Sequence, residues 1–162
     1  MLDGCYHASG EDHEFYESMD IDAVIKTNNK ENIGKHYNKV LKMAVDEEYD
    51  WVILMHDDVS MEDKYLETKL KKAFVNYDIV GLAGAKHIEL RQPALWHLMS
   101  KQEDWSGAVA HPSRTETNGN HQVSMTSFGH TPARCLVLDG VFLAINVSSL
   151  TPEIRLDRKS VV

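Results

Sequence analysis

Residues 51–61 read WVILMHDDVSM, and this stretch decides how the chain is expected to fold. Its first five residues are apolar without interruption, which is typical of a strand covered on both faces. His56, Asp57 and Asp58 follow at once. Adjacent carboxylates repel each other, and burying one without a partner is costly. The pair therefore marks either the point where the strand meets solvent or a place where a cation binds.

Periodic segments precede this run. Residues 20–29 (DIDAVIKTNN) indicate a short strand at 23–26 that ends at a turn-prone Asn pair. Within 32–50 the apolar and aromatic residues recur at helical spacing, which predicts a helix from Ile33 with its solvated end near Asp46. The expected buried stripe of this helix consists of Ile33, Tyr37, Val40, Leu41 and Ala44.

Residues 61–78 again show helical spacing, and 78–85 (DIVGLAGA) read as another strand. The core side of this second helix is predicted to hold Tyr65, Leu66, Leu70, Ala73 and Phe74. The order strand, helix, strand, helix, strand favours an α/β layered fold with a mostly parallel central sheet.

Beyond these elements the regularity stops at residues 87–133. We expect a long loop region there, of the kind that is functional or mobile in a compact domain. The segment 133–150 restores strong β character on both sides of Asp139–Gly140. The 162 residues suffice for one domain with a core of its own, so we take 1–162 as a single domain.

Composition narrows the classes of function. The net charge is −8, from 25 acidic and 17 basic residues, which argues against binding a nucleic-acid backbone. Cys5 and Cys135 are too far apart in sequence for a zinc motif or a disulfide framework. No apolar run is long enough to span a membrane, and the N-terminal residues lack a signal-peptide pattern. We therefore expect a cytoplasmic protein.

The position of the aspartate pair suggests metal chemistry. In open α/β sheets, ligands bind beyond the carboxyl ends of the strands. Two carboxylates at such an end suit Mg²⁺ or Mn²⁺, which take oxygen ligands and bridge to phosphates. The alternative is a pair of surface residues that end the strand and cap the next helix.

Four segments in this order resemble the nucleotide-diphospho-sugar glycosyltransferases of the GT-A fold, family 2-like. They are NIGKHYNKVLKMA (32–44), WVILMHDDV (51–59), IVGLAGAKHIELRQPALWHLMSKQEDWSGAVAHP (79–112) and CLVLDGVFLAINVSSL (135–150). The likeness covers roughly residues 20–150, and it lies in the order and spacing of the segments rather than in any single motif. It implies a GT-A-like three-layer sandwich with a mostly parallel central sheet.

The resemblance also implies roles for individual residues. His56 and Asp58 stand at the two carboxylate positions of a DxD-type motif. Asp58 would be the first ligand of Mn²⁺ or Mg²⁺, and Asp57 would contact the ribose, or the metal through water. Asn38 would help to hold the donor side or would order the loop above it, and Asp139 would face the sugar or the acceptor as the catalytic carboxylate. Gly140 would allow a close backbone approach.

The function implied is transfer of a sugar from a nucleotide-diphospho-sugar to an unknown acceptor, which is a glycan, a lipid or a protein. The chain is shorter than the family pattern at both ends, because it lacks a clean first strand and a final segment with a His and an acidic residue. The alternative is therefore a shortened or degenerate GT-A domain that binds a nucleotide or a protein partner without catalysis. A structural role is favoured only if the aspartates are locked against protein cations.

Other residues have competing interpretations. His87, His97, His111, His121 and His130 lie in or near the long loop region without the spacing of a metal motif, and exposed loop positions are the simpler interpretation. A His-Asp phosphohydrolase pair would sit on a helix, whereas His56–Asp57 ends a strand. Trp96 and Trp105 are suited equally to stacking on a sugar or base and to packing under a loop.

Overall fold

The computed structural model describes residues 2–5, 21–24, 32–56, 59, 61, 63–89, 95–112, 123–154 and 156. Within it the chain forms two compact units. The first consists of Met1–Gly81 with Gly140–Val162, and the second of Leu82–Asp139.

Helix α1 (Ile33–Asp46) belongs to the first unit. The side chain of Asn32 caps it by accepting a hydrogen bond from the backbone N–H of Lys35 at 3.2 Å. The predicted stripe is confirmed: Tyr37, Val40, Leu41 and Ala44 are buried, and Ile33 packs against them. The helix ends at Asp46, as the run of acidic residues indicated.

Strand β3 (Trp51–Met55) is buried at all five positions, which confirms the prediction of a strand covered on both faces. Successive side chains of a strand point to opposite faces. Val52 and Leu54 accordingly pack in one cluster with the stripe of α1, and the other three residues pack in a second cluster with Leu70.

Helix α2 spans Leu66–Ala73, which is shorter than the predicted 61–78. The prediction that Tyr65 lies on its core side is wrong, since Tyr65 is 70% exposed at the N-cap position. The cause is local, because Asp63 accepts hydrogen bonds from Tyr65 N–H through its carboxylate and from Leu66 N–H through its carbonyl. Leu70 is buried as expected.

The strands of the first unit overturn the predicted mostly parallel sheet and the three-layer sandwich built on it. β3, β9 (Phe142–Asn146) and β4 (Ile79–Gly81) form an antiparallel sheet in the order β3-β9-β4. The parallel pair in the described part of the chain is β1 (Leu2–Cys5) with β2 (Ile21–Val24), and that part holds two α-helices.

The reason lies in what separates β3 from β4. Both strands run antiparallel to β9, so they run in the same direction, as a strand–helix–strand crossover requires. A later strand, β9, is inserted between them. The sequence pattern gives the direction of successive strands but carries no information about a distant strand that separates them.

The second unit contains a four-stranded antiparallel sheet in the order β7-β6-β5-β8. The strands are β5 (Ala83–Ala85), β6 (Trp105–Pro112), β7 (Val123–Gly129) and β8 (Val137–Leu138). β6 and β7 fall within 87–133, where we had expected a loop region. The predicted β character around Asp139–Gly140 is confirmed, since β8 precedes this step and β9 follows it.

Gly107 lies at an irregularity in the pairing of β6 with β7, and its φ of 114° suits glycine. A Cβ atom at this position would come within 2.1 Å of the carbonyl oxygen of Leu82. Any other residue at 107 would therefore force the backbones of β5 and β6 apart.

Neither helix in the described parts of the chain has the length and apolar character needed to cross a membrane.

We predict that Leu54→Ala lowers the free energy of unfolding by about 2–5 kcal/mol, because Leu54 is fully buried between β3 and α1 and its removal leaves a cavity. Urea denaturation followed by circular dichroism measures the change. Val75→Ala, at a residue that is 79% exposed, serves as the control and should change the same quantity by less than about 0.5 kcal/mol. Equal effects from the two substitutions would contradict the central position of β3.

Candidate functional site

The candidate site begins where β3 ends. His56 follows the last buried residue of β3 and is exposed. Its backbone N–H donates to the carbonyl oxygen of Val141 at 3.1 Å, one step beyond the pairing of Met55 with Phe142. Because the two strands are antiparallel, the residue leaving β3 and the residue entering β9 lie at the same edge of the sheet. The structure thus brings His56 beside Val141, the residue that follows Gly140.

Asp57 and Asp58, the predicted metal ligands, lie outside the described residues. The residues on either side of them are anchored, since Val59 N–H donates to the His56 carbonyl at 3.4 Å. Val59 and Met61 also pack against the cluster that contains Trp51, Ile53 and Met55. In the sequence, Asp57 and Asp58 therefore lie between the exposed imidazole of His56 and two apolar residues, Val59 and Met61, that pack against the core.

The chemistry of these side chains fits a hard divalent cation. Two carboxylates supply oxygen ligands, and phosphate oxygens and water complete the coordination of Mg²⁺ or Mn²⁺. Within the described part of the chain, no group of three or more His, Cys, Asp or Glu residues is placed to hold a metal ion.

Gly140 is exposed at the start of the turn that enters β9. No atom of a described residue lies within 4 Å of the position that a Cβ atom would occupy there. Protein packing therefore does not require glycine at 140. The predicted close approach of a ligand to this backbone stays a prediction.

Asp139 is the last residue of the second unit and is partly buried. Its backbone N–H donates to the carbonyl of Ala83 at 2.8 Å. Its Oδ2 accepts a hydrogen bond from the indole Nε1–H of Trp96, also at 2.8 Å. No local sequence pattern predicts this hydrogen bond, because the two residues are 43 positions apart.

The structure favours packing over stacking for Trp96. This side chain is only 3% exposed and meets Trp105 and Phe128 edge to face, with ring centroids 5.8 and 5.7 Å away. A sugar ring or a base has no access to a face buried in this way. Trp105 is partly buried in the same cluster.

Asn38 lies on α1 with both ends of its amide engaged. Its Nδ2 donates to the carbonyl of Leu156 at 3.0 Å, and its Oδ1 accepts from Leu156 N–H at 2.8 Å. These two bonds fix the segment around Leu156 against the helix. Contact with a donor substrate, as predicted for Asn38, would compete with them.

The histidines of the region 87–133 do not converge among the described residues. His87, His97 and His130 are exposed, and His87 Nδ1 lies 2.8 Å from the carboxylate of Asp104. The side chain of His111 and all of His121 lie outside the described residues.

Two of the three lysines of α2, Lys69 and Lys71, have carboxylate partners. A hydrogen bond from Lys69 lowers the pKa of Asp63, and a hydrogen bond from Lys71 lowers that of Glu67. The same contact raises the pKa of Lys71. All of these groups are exposed, so the pairs contribute little to stability. Lys69 and Lys71 are thus engaged in local pairs with carboxylates other than Asp57 and Asp58.

Comparison with known proteins finds no family model that matches the chain and no curated protein that matches it.

We predict that Asn38→Ala lowers the free energy of unfolding by about 1–3 kcal/mol, since both backbone groups of Leu156 lose their amide partner. Urea denaturation measures this loss, and limited proteolysis should cut faster near residue 156. Asn76→Ala, at an exposed asparagine after α2, should have almost no effect. If the Asn38 variant is as stable as the wild type, the two bonds to Leu156 do not stabilise the fold, and the predicted contact with a ligand is the better explanation of this residue.

Proposed function

We propose that the chain binds a nucleotide-diphospho-sugar through Mn²⁺ or Mg²⁺ and transfers the sugar to a glycan, lipid or protein acceptor. The observation that carries this proposal is the edge at which β3 ends and β9 begins. The hydrogen bond from His56 to Val141 places the residue before Asp57–Asp58 next to the residue after Gly140. Two segments that lie 85 residues apart in the chain, at 56 and 141, therefore meet at this edge.

In this proposal Asp58 and Asp57 hold the metal ion, and His56 lines the site beside them. A divalent ion held by these carboxylates would supply positive charge beside the leaving diphosphate, an effect that is greater in the transition state than in the ground state. Among the described residues, none beyond its chain neighbours lies within 4 Å of a Cβ position at Gly140, which supports a close approach of a substrate to this backbone. Asp139 supplies a carboxylate toward the sugar or the acceptor hydroxyl.

A second candidate function is nucleotide binding without turnover. It is favoured by His56, because this exposed imidazole stands where the DxD-type motif has its first carboxylate. An imidazole contributes no negative charge toward Mg²⁺ or Mn²⁺, which prefer oxygen ligands. A site with one carboxylate fewer would hold a metal–nucleotide complex more weakly.

We expect calorimetric titration to show that uridine or guanosine diphosphate binds only when Mn²⁺ is present, and that Asp58→Ala abolishes this binding. Asp46→Asn removes the same charge at the end of α1, where the residue pairs with Lys42 on the surface, and should bind like the wild type. The proposal fails if Asp58→Ala binds as tightly as Asp46→Asn, or if the wild type binds neither nucleotide with Mn²⁺.

Turnover separates the two candidate functions. If the chain is a transferase, release of nucleoside diphosphate from a panel of nucleotide-sugars should depend on Mn²⁺. Asp139→Asn should lower kcat by about a hundredfold or more while leaving metal-dependent nucleotide binding intact. Binding without any turnover in the wild type would favour the second function.

A further inference from the structure

A buried tryptophan reaches the carboxylate of Asp139 from inside the second unit. Trp96 is 3% exposed, yet its indole N–H donates to Asp139 Oδ2 at 2.8 Å. An indole has one donor and no acceptor, so this bond uses the entire hydrogen-bonding capacity of the side chain. Its partner is a charged group, which makes such a bond stronger than one between neutral groups.

The orientation of the indole is fixed by its surroundings. Trp105 and Phe128 pack edge to face against the Trp96 ring at interplanar angles of 80° and 75°. The backbone is held as well, because Ser100 Oγ donates to the Trp96 carbonyl at 2.6 Å and itself accepts from Trp105 Nε1 at 2.9 Å. The indole N–H is therefore directed at a single position.

Asp139 is held at two points by different elements. Its backbone N–H donates to Ala83 in β5, and its carboxylate accepts from Trp96. A side chain restrained at both its backbone and its terminal atoms occupies one rotamer, and such a carboxylate is oriented before a substrate arrives. Preorganisation of this kind is what a reaction between positioned groups requires.

We infer that Trp96 is a positioning residue, which orients the carboxylate of Asp139 without touching a substrate. This inference rests on the proposed function, in which Asp139 acts on the sugar or the acceptor. The ring of Trp96 is closed off by packing, so its contribution passes through the N–H alone. Removing that N–H while keeping an aromatic ring should therefore affect turnover rather than binding.

Two matched substitutions test this. Trp96→Phe and Trp51→Phe each remove one indole N–H from a buried tryptophan and keep an aromatic ring, and of the two it is Trp96 that donates to Asp139. We expect Trp96→Phe to lower kcat by about tenfold to a hundredfold, with the KM for nucleotide-sugar and the metal-dependent affinity for nucleoside diphosphate unchanged. Trp51→Phe should stay within about twofold of the wild type in all three quantities.

A kcat for Trp96→Phe equal to that of Trp51→Phe would overturn the inference while leaving the proposed transferase intact. A wild type without turnover would overturn both. If Trp96→Phe does not fold, Asp139→Ala gives a second measurement, because the indole N–H signal of Trp96 in nuclear magnetic resonance spectra should shift and exchange faster with solvent. The signals of Trp51 and Trp105 should not change, and an unmoved Trp96 signal would also overturn the inference.

Discussion

Burial of β3 on both faces is the constraint on which the rest of the first unit depends. Its five side chains alternate between a cluster with α1 and a cluster with α2, so one short strand joins two halves of the core. Each large side chain buried in this way contributes about 1.5–3 kcal/mol. A polar residue within the strand would be costly on either face. The chain therefore places its polar groups together, immediately after Met55.

The start of β9 lies beside the end of β3. Because β9 runs antiparallel between β3 and β4, its first residues lie opposite the last residues of β3. Helix α1 also holds the end of β3, because the hydroxyl of Tyr37 donates a hydrogen bond to the carbonyl of Met55 at 3.3 Å. Helix α1, β3 and β9 thus hold the backbone of Met55 and His56, the residues that precede the proposed metal ligands in the sequence.

The sequence predicted the elements whose pattern is local and strong. The stripe of α1 and the apolar run of β3 are examples, and the core burial they imply is present. The parallel sheet was wrong because the position of β9 depends on residues about 90 positions after β3, which no local period reports. β6 and β7 escaped prediction because their pairing rests on backbone hydrogen bonds and on an irregularity at Gly107. For Tyr65, the local hydrogen bond from its backbone N–H to the carboxylate of Asp63 outweighed helical periodicity.

The candidate site, like the fold, could be predicted from the sequence only in part. Asp139–Gly140 stood out in the sequence because it interrupts two β segments, and the structure places it between β8 and β9. Trp96 gave no sign of its bond to Asp139, since a buried tryptophan has the same apolar signature with or without a polar partner. For Asn38 the sequence left open a contact with the donor and the ordering of a segment above it, and its amide holds the backbone of Leu156.

The edge-to-face pair of Trp96 and Trp105 has an optical consequence. The indole centroids are 5.8 Å apart and the rings are inclined at 80°, so any near-ultraviolet circular dichroism that arises from coupling within this pair depends on the packing of the second unit. Trp51 lies in the first unit, where its ring packs against Phe74. A change in the contribution of Trp96 and Trp105 therefore reports on the packing of the second unit.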